Sequence, residues 1–222
     1  MSLIPHRFLF RIAYPCLYRK AMPLKSERLL DLPSEYRIDN FAGIDDLKNF
    51  AEVCLAWNEL GIGLQVEVRG KEQLPTGNVD RARGSDGVTL WLDTRDARAA
   101  HRASRYCHQF HFLPRAGGPG NDEPAFGQAK INRALDDAPL APTSNVLLKV
   151  HHRKAGYLLE AFLPAAALNG FDPDEHRRLG FFVAVRDDEL GEQLLSMSAE
   201  FPFWEDPSLW SVLDLISEPR TK

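Results

Sequence analysis

Apolar residues recur at every second position in run after run of this chain, and that period of two decides what it can fold into. Successive side chains of a strand point to opposite faces, so residues i and i+2 share one; a helix needs spacings of three and four. In 88–93, Val88, Leu90 and Leu92 alternate with Thr89, Trp91 and Asp93. In 106–113, Tyr106, His108, Phe110 and Phe112 alternate with Cys107, Gln109, His111 and Leu113. Residues 51–69 hold two such runs around Asn58-Glu59-Leu60-Gly61, with Val53, Leu55 and Trp57 on one face before it and Leu64, Val66 and Val68 after it. This pattern predicts a β-hairpin. Residues 146–152 and 156–164 flank Arg153-Lys154-Ala155-Gly156 and predict another. LGFFVAVRDDELG reads as a strand ending in an acidic turn, and SLWSVLDLI as a closing strand. Fifteen prolines spread along the length exclude a helical bundle; Ala165–Leu168 alone reads as a helical turn. The expectation is an all-β sandwich or barrel of eight to ten strands, antiparallel where the turns are tight.

The 222 residues suffice for one large domain, or one domain with extensions. No period holds for long over 1–45, where Phe8, Phe10, Ile12 and Tyr14 are spaced by two. We read 1–45 as an extended N-terminal arm packed on a β-sandwich domain spanning 46–222. Residues 114–145 are rich in Gly, Pro and Asp and predict loops, with a short strand over 126–132. The formal net charge of -4 is a poor basis for non-specific nucleic-acid binding, which needs surplus cations. No stretch approaches the ~20 apolar residues of a membrane span. The apolar start is broken by Arg7, Arg11 and Pro15, unlike a secretory signal, so a cytoplasmic location is expected. Cys16, Cys54 and Cys107 form no CxxC pair and read as buried thiols.

No GxSxG, HExxH, GxxxxGK[ST] or GxGxxG motif occurs, and no nucleophile–base or carboxylate pair stands out, so no catalytic residue is predicted. Asp187-Asp188-Glu189 reads as the solvated end of a strand. His108 and His111 are three apart and should face opposite ways, and with His101 they make no compact ligand set. No metal site or cofactor is expected, although Asp136-Asp137 and Asp187-Asp188 permit a structural calcium. A haem held between Met197 and His111 is the redox alternative. Arg95, Arg98, Arg102 and Arg105, close to Asp93 and Asp96, suit a paired network that pins a loop or, alternatively, a clamp for an anion. Trp57 and Trp210 read as core. Trp204, between Pro202 and Pro207 in FPFWEDPSLW, is suited to stacking on the apolar face of a sugar ring.

The order LAWNELGIGLQVEV, SDGVTLWLD, HQFHFLP, GYLLEAFLPAAAL, LGFFVAVRDDELG and WEDPSLWSVLDL resembles the family 9 carbohydrate-binding modules over about residues 50–216. The resemblance implies an antiparallel β-sandwich of jelly-roll type, with members that hold a sugar between two tryptophans. It puts Trp204 at one clamp position and Arg83 at the other. It puts Thr89 at the family's carboxylate, His111 at its arginine, Ala184 at its glutamine and Phe201 near its asparagine.

Strand alternation, read independently, puts Thr89, Trp91, Asp93, Gln109, His111, Phe182, Ala184 and Arg186 on one face. Such an aromatic face is expected to be covered by a ligand, the arm or a second subunit. The reading is a non-catalytic domain binding a saccharide or other small polar ligand, with Trp204 stacking, Trp91 forming a wall, and Gln109, His111, Arg83 and Arg186 supplying hydrogen bonds. The basic groups favour an anionic sugar or acid. The alternative is an interaction or scaffold module whose aromatic face is buried by its own arm or by a partner.

Overall fold

The computed structural model describes residues 12–40, 48–97, 99–196 and 199–217. Eleven strands carry the alternating runs: β1 (Ala13–Tyr18), β2 (Ala51–Asn58), β3 (Gly61–Arg69), β4 (Gly87–Asp93), β5 (Cys107–Gly117), β6 (Glu123–Ala129), β7 (Leu147–Arg153), β8 (Gly156–Pro164), β9 (Arg178–Asp187), β10 (Gly191–Leu194) and β11 (Ser211–Ile216). Among the described residues, helix is confined to short 3-10 turns. All strands join one nearly closed sheet in the order β6-β5-β4-β9-β11-β1-β2-β3-β8-β7, with β10 paired to β9. Its concave side buries Leu90, Phe110 and Val183 in one cluster with Leu55, Leu64 and Leu159.

Both predicted hairpins are present, turning at Glu59-Leu60 and Lys154-Ala155. The alternation of 88–93 holds across three strands. Leu90 lies opposite Phe110 and Val183; Thr89 lies opposite His111 and Ala184, and Trp91 opposite Gln109 and Phe182. The polar-aromatic positions therefore share the outer face.

One part of the expected pairing is corrected. The sheet is mixed, because β1 runs parallel to both β11 and β2. Residues 19–50 separate β1 from β2, ample for the long crossover that parallel neighbours require. Two smaller differences follow from local chemistry. The strand expected at 126–132 starts three residues earlier, at Glu123, and Trp210 ends a 3-10 turn before β11.

The crossover is anchored on the outer face of β3 and β8. Glu160, fully buried, accepts hydrogen bonds from the backbone of Leu29, Leu30 and Asp31 and from Arg28 Nε. Gln65 accepts from Leu32 N and donates to Leu32 O. Beneath this strap Met22, Leu30 and Leu32 pack on Cys54, Ala56 and Phe162. Gly63 makes the close approach feasible, since a Cβ there would collide with Met22 Sδ and meet Leu30. Cys16, Cys54 and Cys107 are free and buried. Phe8, Phe10, Arg98 and Met197, and with Met197 the haem alternative, lie outside the described residues.

Candidate functional site

The register that brings β5 against β4 also brings β6 against its other edge, with Gly127 opposite His111 and Ala129 opposite Gln109. Two large polar side chains thus stand beside two nearly bare positions, and the step between them leaves a hollow. A Cβ added at Gly127 would have no heavy atom within 4 Å. The hollow is the floor of an open cleft of about 530 Å³, walled by the 3-10 turn Val79–Gly84 and by Trp204, with Lys130 and Asn132 at its rim. Arg83, Gln109, His111 and Trp204, four of the six expected site residues, line it together.

His111 is buried and fixed through both ring nitrogens. Gln109 Nε2 lies 3.0 Å from its Nε2, and Thr89 Oγ1 lies 2.9 Å from its Nδ1. The amide nitrogen can only donate, so Nε2 accepts and the ring proton sits on Nδ1, facing Thr89. Burial, helped by the Arg83 charge, pushes the His111 pKa down to about 4, so the floor carries no charge at neutral pH. The amide oxygen of Gln109 has no partner among the described residues.

The wall is cationic and aromatic. The Arg83 guanidinium sits 5.5 Å from the centre of the Trp204 ring. Among the described residues neither Arg81 nor Arg83 has an acidic partner. Lys130, in contrast, is paired with Asp137 at 2.5 Å, and Glu205, next to Trp204, receives hydrogen bonds from Asn132 and Arg133.

Trp91 and Arg186 lie in a smaller adjoining cavity of about 70 Å³, which Arg83 also borders. Trp91 is only 3% exposed. Its cover is Phe203, which stacks on Phe182 at 4.3 Å and meets Trp91 edge-on at 5.5 Å and Trp204 edge-on at 5.4 Å. The expected cover was a ligand, the arm or a second subunit; over Trp91 and Phe182 it is the chain's own segment before β11. Arg186 donates to Asp188 at 3.0 Å. Phe203 and Gly127 were missed in the sequence. FPFW offers two phenylalanines with no period to choose between them, and Gly127 lies in the expected short strand, where nothing in the sequence shows that it faces His111.

No family model matches the chain, and no curated protein matches it. Solved structures do. A family 9 carbohydrate-binding module from Caldicellulosiruptor kristjanssonii in complex with cellotriose superposes with a TM-score of 0.64, at 15% identity, over 94% of this chain and 96% of that one. A second structure of a module from that organism, in complex with glucose, gives 0.61 at 15% identity, over 94% and 99%. A Bacteroides uniformis protein provisionally described as carbohydrate-binding gives 0.54 at 11% identity, over 93% and 100%. The fold is that of the family 9 carbohydrate-binding modules.

Within this family 9 type of sandwich the remaining polar clusters are fasteners. Lys71, 3% exposed, reaches Asp187 at 3.0 Å and Asp86 at 3.2 Å, both fully buried carboxylates, and Glu189 at 3.8 Å. The acidic turn therefore closes on an ammonium. Arg95 donates to Gly170 O, Arg102 to Arg133 O and Ala134 O, and Arg105 faces Asp136, so these arginines tie loops together. Ser208, His101 and Asp206 meet, but both Ser208 Oγ and Asp206 Oδ2 address the same ring nitrogen, Nδ1, at 3.1 Å. A proton relay needs the nucleophile and the carboxylate on opposite nitrogens. Among the described residues no three His, Cys, Asp or Glu side chains gather in a metal-holding group, and no helix is long and apolar enough to cross a membrane.

Proposed function

We propose that the chain is a non-catalytic saccharide-binding domain and that the sugar sits in the cleft between the 79–84 turn and Trp204. The observation that carries this reading is the open floor at Gly127, beneath a half-buried tryptophan and beside an uncharged His111–Gln109 pair. Sugar recognition needs an aromatic plane for the ring's C–H face and fixed hydrogen-bonding groups for its hydroxyls. Trp204 supplies the plane. The unpartnered Gln109 oxygen accepts a hydroxyl, and Arg83 donates. Trp91 and Arg186 act from the neighbouring cavity, Trp91 by holding Phe203 and through it Trp204. The structures similar in fold that hold cellotriose and glucose support the same ligand class.

The test is titration with neutral and acidic saccharides, followed by amide chemical shifts. Binding should perturb residues 79–84, 109–111 and 127–132. Trp204→Ala should weaken it about tenfold or more while leaving the thermal midpoint within a few degrees. Absence of binding to every saccharide at millimolar concentration would discard the proposal.

A further inference from the structure

The cation over Trp204 sets what the cleft prefers. Arg83 sits on an exposed turn, among the described residues no carboxylate pairs with it, and its guanidinium lies over the indole face 5.5 Å away. Arg81 is on the same turn and, among the described residues, likewise has no acidic partner. Three nearby acids are engaged elsewhere, Asp137 by Lys130, Glu205 by Asn132 and Arg133, and Asp188 by Arg186, while Glu192 lines the adjoining cavity with Arg83 without forming an ion pair with it. Asp80 is the one acid lining the cleft, against two free guanidinium groups. The His111 imidazole below is held neutral, so it offers an incoming anion neither attraction nor repulsion.

A neutral ring stacking on Trp204 displaces Arg83 from the indole and gives the guanidinium nothing in return beyond hydroxyls. A ring bearing a carboxylate gives it a planar, charge-assisted partner of matching geometry. We propose that Arg83 is the specificity-determining residue of the cleft and that the saccharide it takes is acidic, a uronic acid whose carboxylate draws the guanidinium off Trp204 as the sugar ring replaces it there. This inference rests on the saccharide-binding reading and narrows it to a ligand class. Because burial holds the His111 pKa down at about 4, the floor stays uncharged above about pH 5, and affinity for such a ligand should be flat from pH 5 to 8 once its own carboxylate is ionised.

The experiment uses three matched probes on the full chain: methyl glucuronoside, methyl glucoside and acetate, by calorimetry at low and high salt. The glucuronoside should bind about tenfold more tightly than the glucoside, as one charge-assisted hydrogen bond provides, and the margin should shrink with salt. Arg83→Gln should bring the two sugars to equal affinity without abolishing either. Gly127→Phe, which fills the floor where nothing obstructs a side chain, should remove both while the amide spectrum stays folded. Equal or tighter binding of the glucoside to wild type would overturn the acid preference and leave the saccharide reading standing. No binding of either sugar would overturn the uronic-acid preference, and failure of every other saccharide as well would sink the saccharide reading itself. Acetate binding as strongly as the glucuronoside would overturn the role of the ring, and unchanged binding by Gly127→Phe would overturn the location.

Discussion

Lys71 carries a full charge to a place that water does not reach. Its ammonium is 3% exposed, and the carboxylates of Asp86 and Asp187 that meet it are wholly buried. Burial alone would depress the lysine pKa, but hydrogen bonds and charge from Asp187 and Asp86 outweigh it, and the pKa is raised above its ordinary 10.5. A raised pKa means that the stabilisation is complete below the ordinary lysine value and is lost as pH climbs through the folded one. Lys71→Met leaves two buried carboxylates facing each other without a cation, and such breakage costs about 3–5 kcal/mol. The expected result is a urea midpoint well below wild type at pH 7, partly recovered by adding Asp187→Asn. A loss under about 1 kcal/mol, typical of an exposed pair, would mean that the cage is solvated. The sequence shows the acidic run Asp187-Asp188-Glu189 but not the lysine 116 residues before Asp187 that Asp187 and Glu189 enclose together with Asp86.

At the scale of elements, the strap over β3 and β8 shows how one side chain can hold a segment with no regular structure. Burial works against ionising Glu160, yet Arg28 and the backbone N–H groups of Asp31, Leu29 and Leu30 overcome it and bring the pKa down to about 2, from 4.5. The sign follows: the stabilisation is present above pH 4.5 and disappears as pH falls toward 2. Glu160→Gln should cost about 2–3 kcal/mol at pH 7, measured by urea unfolding, because three backbone donors lose a charged acceptor. The deficit should narrow between pH 4.5 and 2, where wild type loses its own carboxylate. A deficit that stays constant across that range would show that the charge is not what anchors the strap.

The strands themselves were legible, because a half-buried strand repeats its demand for an apolar side chain every two residues and a short window shows it. The shared face of Thr89, Trp91, Gln109 and His111 followed from the same period. What the window could not show is pairing between distant segments. Glu160 in GYLLEAFLP looks like any outward polar residue, and Gly127, inside the expected short strand, carries no sign of which side chains lie opposite it. Phe203 covers Trp91 from a segment without any period. Of the cleft, the sequence therefore showed the floor's polar half and Trp204, and hid the bare half that leaves room for a ligand.

At the scale of the whole molecule, β1, within the segment expected to pack on the domain as an arm, holds an interior place in the sheet. In the strand order it lies between β11 and β2, so among the described residues its backbone ladders link the half of the sheet carrying the cleft to the half carrying the strap. Five of its residues pair with β11 and two with β2. Tyr14 and Cys16 point into the core at 3% and 0% exposure, and Tyr14 packs edge-on against Phe181. Deleting residues 1–18 removes the buried side chains of Tyr14 and Cys16 and leaves two interior strands with open ladders, an arrangement that promotes aggregation. The truncated chain should lose cooperative unfolding and accumulate as aggregate. A synthetic peptide spanning 12–19, added during refolding, should restore a soluble, cooperative species by entering the vacant track. If the truncated chain unfolds cooperatively at the wild-type urea midpoint without the peptide, the two halves close on each other directly, and β1 is an appendage to the sheet rather than its seam.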